Sequence, residues 1–336
     1  MIEVSISDIE SNSFKSTYTC QNTILCIPGH NGNGSSIEYL QWIIDKNDEN
    51  NINIVKQNIP TTSNIIDIGQ QNCIDAAVDL KKINTVGNKT PSIIHASSQG
   101  TATCINALSS IYNIPRLTEE TSPKYPLLIL ESSMATANEG IHSVSKRELK
   151  TKYKMKFVDN PLIDLLIYIL APFLVKLLRF RSYNPFGPQP INNIDSLPLD
   201  IVVLLIHSEH DTTLHVRNSN AIYYKMLSRG MSNVYYMKLM NSNSHINIFK
   251  NQDDILLLHK ILSYHLGFNY QNENNEEKHQ LYHDIELLKI DHLQFKKDYN
   301  NIRLKEYLLL FVFRFLFGGY IFLIIFLLYF FSSINK

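Results

Sequence analysis

The stretch Ser92-Ile93-Ile94-His95-Ala96-Ser97-Ser98-Gln99-Gly100-Thr101-Ala102 reads as an apolar strand that ends in a tight turn and opens a helix. A serine held in such a turn is lifted clear of the strand, where its hydroxyl can attack an electrophile. The turn is strained and its backbone crowded, so the residues two before and two after the nucleophile must be small. Centring the turn on Ser98 puts Ala96 and Gly100 at those flanks, whereas centring it on Ser97 puts His95 and Gln99 there, which would clash. Ser98 is therefore the candidate nucleophile. A serine hydroxyl is weak at neutral pH, so it needs a neutral imidazole to take its proton and a carboxylate to hold that imidazole in the right tautomer.

Upstream, Thr23-Ile24-Leu25-Cys26-Ile27 is an apolar run of strand length, followed by the glycine-rich Pro28 to Ser36. Glycines there let the backbone turn its amides towards an oxygen with no side chains in the way. The loop lacks the G-x-x-x-x-G-K and G-x-G-x-x-G spacings of phosphate-binding loops.

Ala96-Ser97-Ser98-Gln99-Gly100, preceded by its apolar strand, resembles the G-x-S-x-G elbow of the α/β-hydrolase superfamily, with alanine for the first glycine. The resemblance covers about Thr23 to Leu266. It implies that the backbone N–H groups of His30 and Gln99 form an oxyanion hole. It implies an acid in the loop after the strand Ile201–Ile206, where Asp211 is the match. It also implies a base in the polar loop beyond the last core strand, which is His245. The order Ser98, Asp211, His245 is that of the superfamily. Glu209 is an alternative acid. His207 and His210 lie before or beside the acid rather than after the last strand, and the side chains of His30 and His95 are read as structural.

The elements that must hold these groups alternate between strand and helix. Strands are expected at Thr23–Ile27, Ile52–Val55, the elbow strand, Tyr125–Leu130, Ile201–Ile206 and Val234–Leu239. Helices are expected at Ile37–Ile44, Cys73–Ile83, Gln99–Tyr112, Val216–Met226 and Asp253–Leu266, with low-order edge strands before Thr19. The fold class is α/β: a mostly parallel sheet with helices on both faces, within a domain of residues 1–270. An insertion at about 131–190 is read as cap helices. Its uncharged run Leu165–Val175 is interrupted by Pro172 and falls short of the about 20 apolar residues that a membrane span needs.

Beyond Gln271 the composition turns charged and helical, with Leu281, Ile285, Leu288 and Leu293 as a narrow apolar stripe, so 271–306 is expected to be a solvated spacer. Residues 307–331 are apolar save Arg314 and are expected to form a transmembrane helix, a single-pass anchor in the lipid bilayer. Lys296, Lys297, Arg303 and Lys305 precede it and only Lys336 follows, which places the catalytic domain in the cytosol.

Acidic and basic residues balance at 31 each, which gives no electrostatic footprint for a nucleic-acid partner. Cys20, Cys26, Cys73 and Cys104 lack C-x-x-C spacing, so neither a zinc site nor a disulfide framework is indicated, and no cofactor is expected. The expected activity is a membrane-anchored serine hydrolase cleaving an ester, thioester or amide through an acyl-enzyme on Ser98, with a lipid or small acyl substrate. A catalytically silent hydrolase fold serving as an interaction domain, and an acyltransferase, are the alternatives.

Overall fold

The computed structural model of the chain describes residues 23–29, 53–56, 93–113, 127–178, 184, 186–240, 242, 244–245, 248–249, 251–266 and 292–334. The expected helices Ile37–Ile44 and Cys73–Ile83, the early edge strands, His30, Leu281, Ile285 and Leu288 lie outside these residues.

Six short apolar runs form one sheet: β1 (Thr23–Ile27), β2 (Asn53–Lys56), β3 (Ile93–Ser97), β4 (Leu127–Glu131), β5 (Val203–Ser208) and β6 (Val234–Leu239). All five pairings are parallel, in the order β2-β1-β3-β4-β5-β6. Strands buried on both faces need no polar alternation, and β3, β4 and β5 are buried at every residue. Side chains alternate across the sheet. Leu25, Ile94, Leu128, Leu205 and Tyr236 face α1 (Gln99–Tyr112), α4 (Arg217–Ser228) and the start of α6 (His292–Ile334). Ile24, Ile93, Ile129, Leu204 and Met237 pack instead on Leu258, Ile261 and Leu262 of α5 (Gln252–Leu266).

The chain runs outward from β1 to β2 and then returns to the other side of β1 as β3. This reversal is a topological switch point, and ligands of open parallel sheets bind at the carboxyl ends of the strands there. Ser98 follows β3 at that end.

Between β4 and β5 the chain forms α2 (Ala137–Thr151), the 3-10 turn Lys156–Asp159 and α3 (Pro161–Leu178). Thr136 caps α2 by accepting from Glu139 N–H at 3.0 Å, and Asn160 caps α3 with Pro161 at its first position. Pro172 does not break α3, which runs through it. Charged groups tie these helices to the body. The fully buried Glu139 carboxylate pairs with Arg217 at 2.8 Å. Asp164 accepts from Lys146 at 2.7 Å and Lys305 at 2.9 Å. Glu306 accepts from Tyr168 O–H at 2.7 Å and Asn138 at 2.6 Å.

The C-terminal segment departs from its expected course. Instead of a spacer followed by a separate span, one helix runs from His292 to Ile334, and its first half packs on the protein. Phe295 and Ile302 enter the core beside α4, while Leu293, placed on the expected stripe, is 81% exposed. Leu309 and Phe313, inside the expected transmembrane segment, are buried with Tyr168 of α3. Lys305, counted as a flanking charge, is paired with Asp164. The transmembrane helix expected at 307–331 is not supported: among the described residues no helix is long and apolar enough to cross a membrane. Apolar positions 309 and 313, counted towards the span, are satisfied by protein instead.

Burial alone would raise the Glu139 carboxyl, but Arg217, His142 and Lys305 outweigh it and hold it below the usual carboxylate range. Arg217→Met, which strands this charge, is expected to lower stability by about 3 kcal/mol at neutral pH in denaturant unfolding. A carboxyl depressed in the folded state stabilises above its unfolded pKa and loses that contribution as pH falls, so the deficit of the variant should shrink below about pH 4.

Candidate active site

Ser98 holds φ +51° and ψ −122°, a backbone conformation that costs on the order of 1–3 kcal/mol for a residue with a Cβ. Three contacts enforce it. Its N–H donates to Glu131 O at 2.8 Å. Its carbonyl accepts from Thr101 N–H at 3.0 Å and from the Thr101 hydroxyl at 2.6 Å. Thr101 Oγ1 in turn accepts from Met134 N–H at 3.1 Å, tying the turn to the loop after β4. Ser98 stands at the N-cap of α1 yet caps nothing, because its hydroxyl is turned elsewhere.

Two glycines mark how close the neighbouring backbone comes. A Cβ on Gly100 would overlap the carbonyl oxygen of Ile27 and lie 2.5 Å from that of Pro28. One on Gly29 would lie 2.9 Å from Ser98 Cβ. The smallness of the residue two after Ser98 is thus demanded by the end of β1 next door, a contact that local spacing does not reveal.

His245, in the loop beyond β6, brings Nε2 to 2.8 Å from Ser98 Oγ and Nδ1 to 2.6 Å from Asp211 Oδ2. Asp211 lies three residues after β5. Its other oxygen accepts from the N–H groups of Thr213 at 2.7 Å and Leu214 at 2.9 Å. The loops carrying acid and imidazole are stitched together by the Ser208 hydroxyl, which donates to Ser242 O. The structure therefore brings Ser98, His245 and Asp211 into one chain of hydrogen bonds. Gln99 N–H belongs to the first turn of α1, directly after Ser98. His30, the other expected oxyanion donor, lies outside the described residues.

The alternatives sort themselves by position. Glu209 is engaged in an ion pair with Lys238, and His210 is exposed. His95 is buried within the sheet, 2.9 Å from Glu131. His207 is the residue that sequence reasoning undervalued. It is fully buried, with Nε2 2.8 Å from Leu214 O and 3.3 Å from Asp211 Oδ2, and Nδ1 2.6 Å from Ser219 Oγ. With Nε2 protonated, its N–H points between Leu214 O and the carboxylate while Nδ1 accepts from Ser219. The four-residue spacing of His207 and Asp211 was the available signal. Burial would raise the Asp211 carboxyl, but hydrogen bonds from His207 and His245 outweigh it and hold the carboxyl well below the usual range.

With Asp211 ionised, the arrangement fixes Nδ1–H of His245 towards the carboxylate and leaves Nε2 to accept from Ser98. That is the geometry in which an imidazole can take a serine proton. Among the described residues no cluster of His, Cys, Asp and Glu could hold a metal ion. Gly100→Ala is expected to destabilise the protein by about 1–3 kcal/mol through overpacking against Ile27 and Pro28, measured as a lower unfolding midpoint.

No protein-family model matches the chain, and no curated protein matches it. Among solved structures, the chain is similar to an esterase of Pyrococcus furiosus at 12% identity and a TM-score of 0.46, covering 74% of this chain and 84% of that one. It is similar to the esterase domain of a Rhodothermus marinus protein at 9% identity and a TM-score of 0.41, covering 73% and 85%. It is also similar to an acylaminoacyl peptidase of Pyrococcus horikoshii at 14% identity and a TM-score of 0.45, covering 76% of this chain and 39% of that one. The structural neighbours thus include esterases and an acylaminoacyl peptidase.

Proposed function

We propose that the chain is a serine hydrolase of the α/β-hydrolase type that cleaves an ester, thioester or amide through an acyl-enzyme on Ser98. The observation that carries this reading is the hydrogen-bond chain Asp211–His245–Ser98, at 2.6 and 2.8 Å. Ser98 Oγ attacks the substrate carbonyl carbon as His245 Nε2 takes its proton. The Asp211 carboxylate stabilises the resulting imidazolium through Nδ1–H. Negative charge gathering on the carbonyl oxygen meets the N–H of Gln99, at the positive end of α1, with the N–H of His30 as second donor. The imidazolium then gives its proton to the leaving group, and water releases the acyl chain by the same steps in reverse.

A lipid or acyl substrate is favoured by the apolar helices at the site's edge. Ala171 and Val175 of α3 pack against a cluster that contains Ala102 and Leu214, close in sequence to Ser98 and Asp211. The lipid bilayer is proposed as a partner through the C-terminal helix, whose sequence from Phe315 to Phe331 is free of charge.

An alkyl fluorophosphonate tests the reading: Ser98 Oγ bonds to phosphorus, fluoride leaves, and the hydroxyl proton passes to His245. Wild type and Ser97→Ala are expected to be labelled, and Ser98→Ala is not. Labelling of Ser98→Ala, or none in the folded wild type, contradicts the proposal. His207→Phe, which removes a donor from Asp211, should slow labelling about tenfold, as expected for one hydrogen bond to a charged group, while His207→Gln keeps a donor and should stay nearer wild type.

A further inference from the structure

We infer that the outer face of α3, the lysine-rich turn before it and the outward side of α6 beyond Lys305 form a docking surface for a bilayer containing anionic lipid. Leu162, Leu166, Leu170 and Leu174 recur every four residues along α3, so they share one side of the helix, and each is at least 44% exposed. The opposite side of α3 is occupied: Tyr168 is fully buried against α6, and Ala171 and Val175 pack against a cluster that includes Met134, Ala137 and Ile141. A second apolar strip lies on the neighbouring helix. The outward side of α6 begins mostly polar, with exposed Gln294, Lys296, Lys297, Asn300 and Asn301 beside Leu293. From Leu304 its exposed residues are Leu304, Tyr307, Phe311, Arg314 and Phe315, the four apolar ones all at least 60% exposed. The change occurs where α6 reaches α3.

The charge beside these strips says what covers them. The end of α2 and the turn into α3 carry exposed Lys150, Lys152, Lys154 and Lys156, interleaved with exposed Tyr153 and Phe157. Asp159 takes up Lys150 and Lys146, and Lys152, Lys154 and Lys156 have no ion pair among the described residues. Leucines on one side of a helix, edged by lysines and aromatic rings, match the apolar, interfacial and anionic layers of a lipid surface in that order. The same helix α6 continues from this surface into the uncharged Phe315–Phe331. A bilayer that receives this run meets the leucine face of α3 alongside, in the manner of a helix that lies on a membrane rather than crossing it.

The inference rests on the reading that a bilayer is a partner and is independent of the chemistry at Ser98. It is tested with full-length protein carrying Trp42→Phe and one new tryptophan, at Leu166→Trp, Phe326→Trp or Leu256→Trp. Leu256 is exposed on α5, across the sheet. The protein is reconstituted into phosphatidylcholine vesicles with brominated chains, with or without phosphatidylserine, and tryptophan emission is read. Loss of emission at 166 and 326 but not at 256 is expected. Loss at 166 should weaken without phosphatidylserine and in Lys152→Glu/Lys154→Glu/Lys156→Glu, by about fivefold in lipid affinity per lysine removed. Quenching at 326 alone overturns the docking surface and leaves the C-terminal helix as the contact. Quenching at neither position overturns both readings, and a dimer in light scattering would then assign the face to a second copy of the chain.

Discussion

The contact on which the site depends is the approach of Gly100 to the carbonyl oxygens of Ile27 and Pro28. It occurs where the sheet reverses its order, so that the ends of β1 and β3 lie side by side with no strand between them. A side chain at 100 would push α1 away from β1 and let Ser98 relax. Without one, α1 sits close enough for Thr101 and Glu131 to clamp the serine in a conformation that it would not hold alone. The strain is local, and the surrounding buried sheet sustains it.

The second constraint is electrostatic. Asp211 is buried, and a buried carboxylate is tolerated only when its oxygens are saturated with donors. Here two backbone N–H groups serve one oxygen, and His245 and His207 serve the other. The two histidines differ in what faces their far nitrogen. His207 meets Ser219 inside the protein and is fixed, whereas His245 meets Ser98 at the mouth of the site. The same carboxylate therefore anchors one imidazole and orients the other. A comparable logic holds the helices beside the site, where Asp164 and Glu306 are each satisfied by partners from a different element and Arg217 holds one oxygen of Glu139.

Much of this was legible in the sequence, because continuous apolar runs broken by glycine and polar loops leave little choice of element. β1, α1 and β6 occupy the expected residues, and the turn register at Ser98 follows from the size of its flanks. What was not legible depends on neighbours far along the chain. His207 is set aside as a base because it lies before the acid, and its role shows only when β5 and α4 bring Asp211 and Ser219 to its two nitrogens. The C-terminal segment misled for a related reason: apolar periodicity measures the wish to leave water and does not say whether lipid or protein receives the side chain. Leu309 and Phe313 are received by α3. Glu306 was the residue that could have told them apart, since a carboxylate at the edge of an apolar run calls for a protein partner, and Tyr168 and Asn138 donate to it.

The account turns on Ser98 being the group that carries the acyl chain. The most direct measurement is mass analysis of the protein quenched in acid during the first turnover of a p-nitrophenyl acyl ester, followed by peptide mapping. An added acyl mass on the peptide containing Ser98, assigned to that hydroxyl and absent when His245 is replaced by alanine, is the predicted result. Turnover with no acyl mass on the chain, or an acyl group carried by Ser97 or another residue, would contradict it.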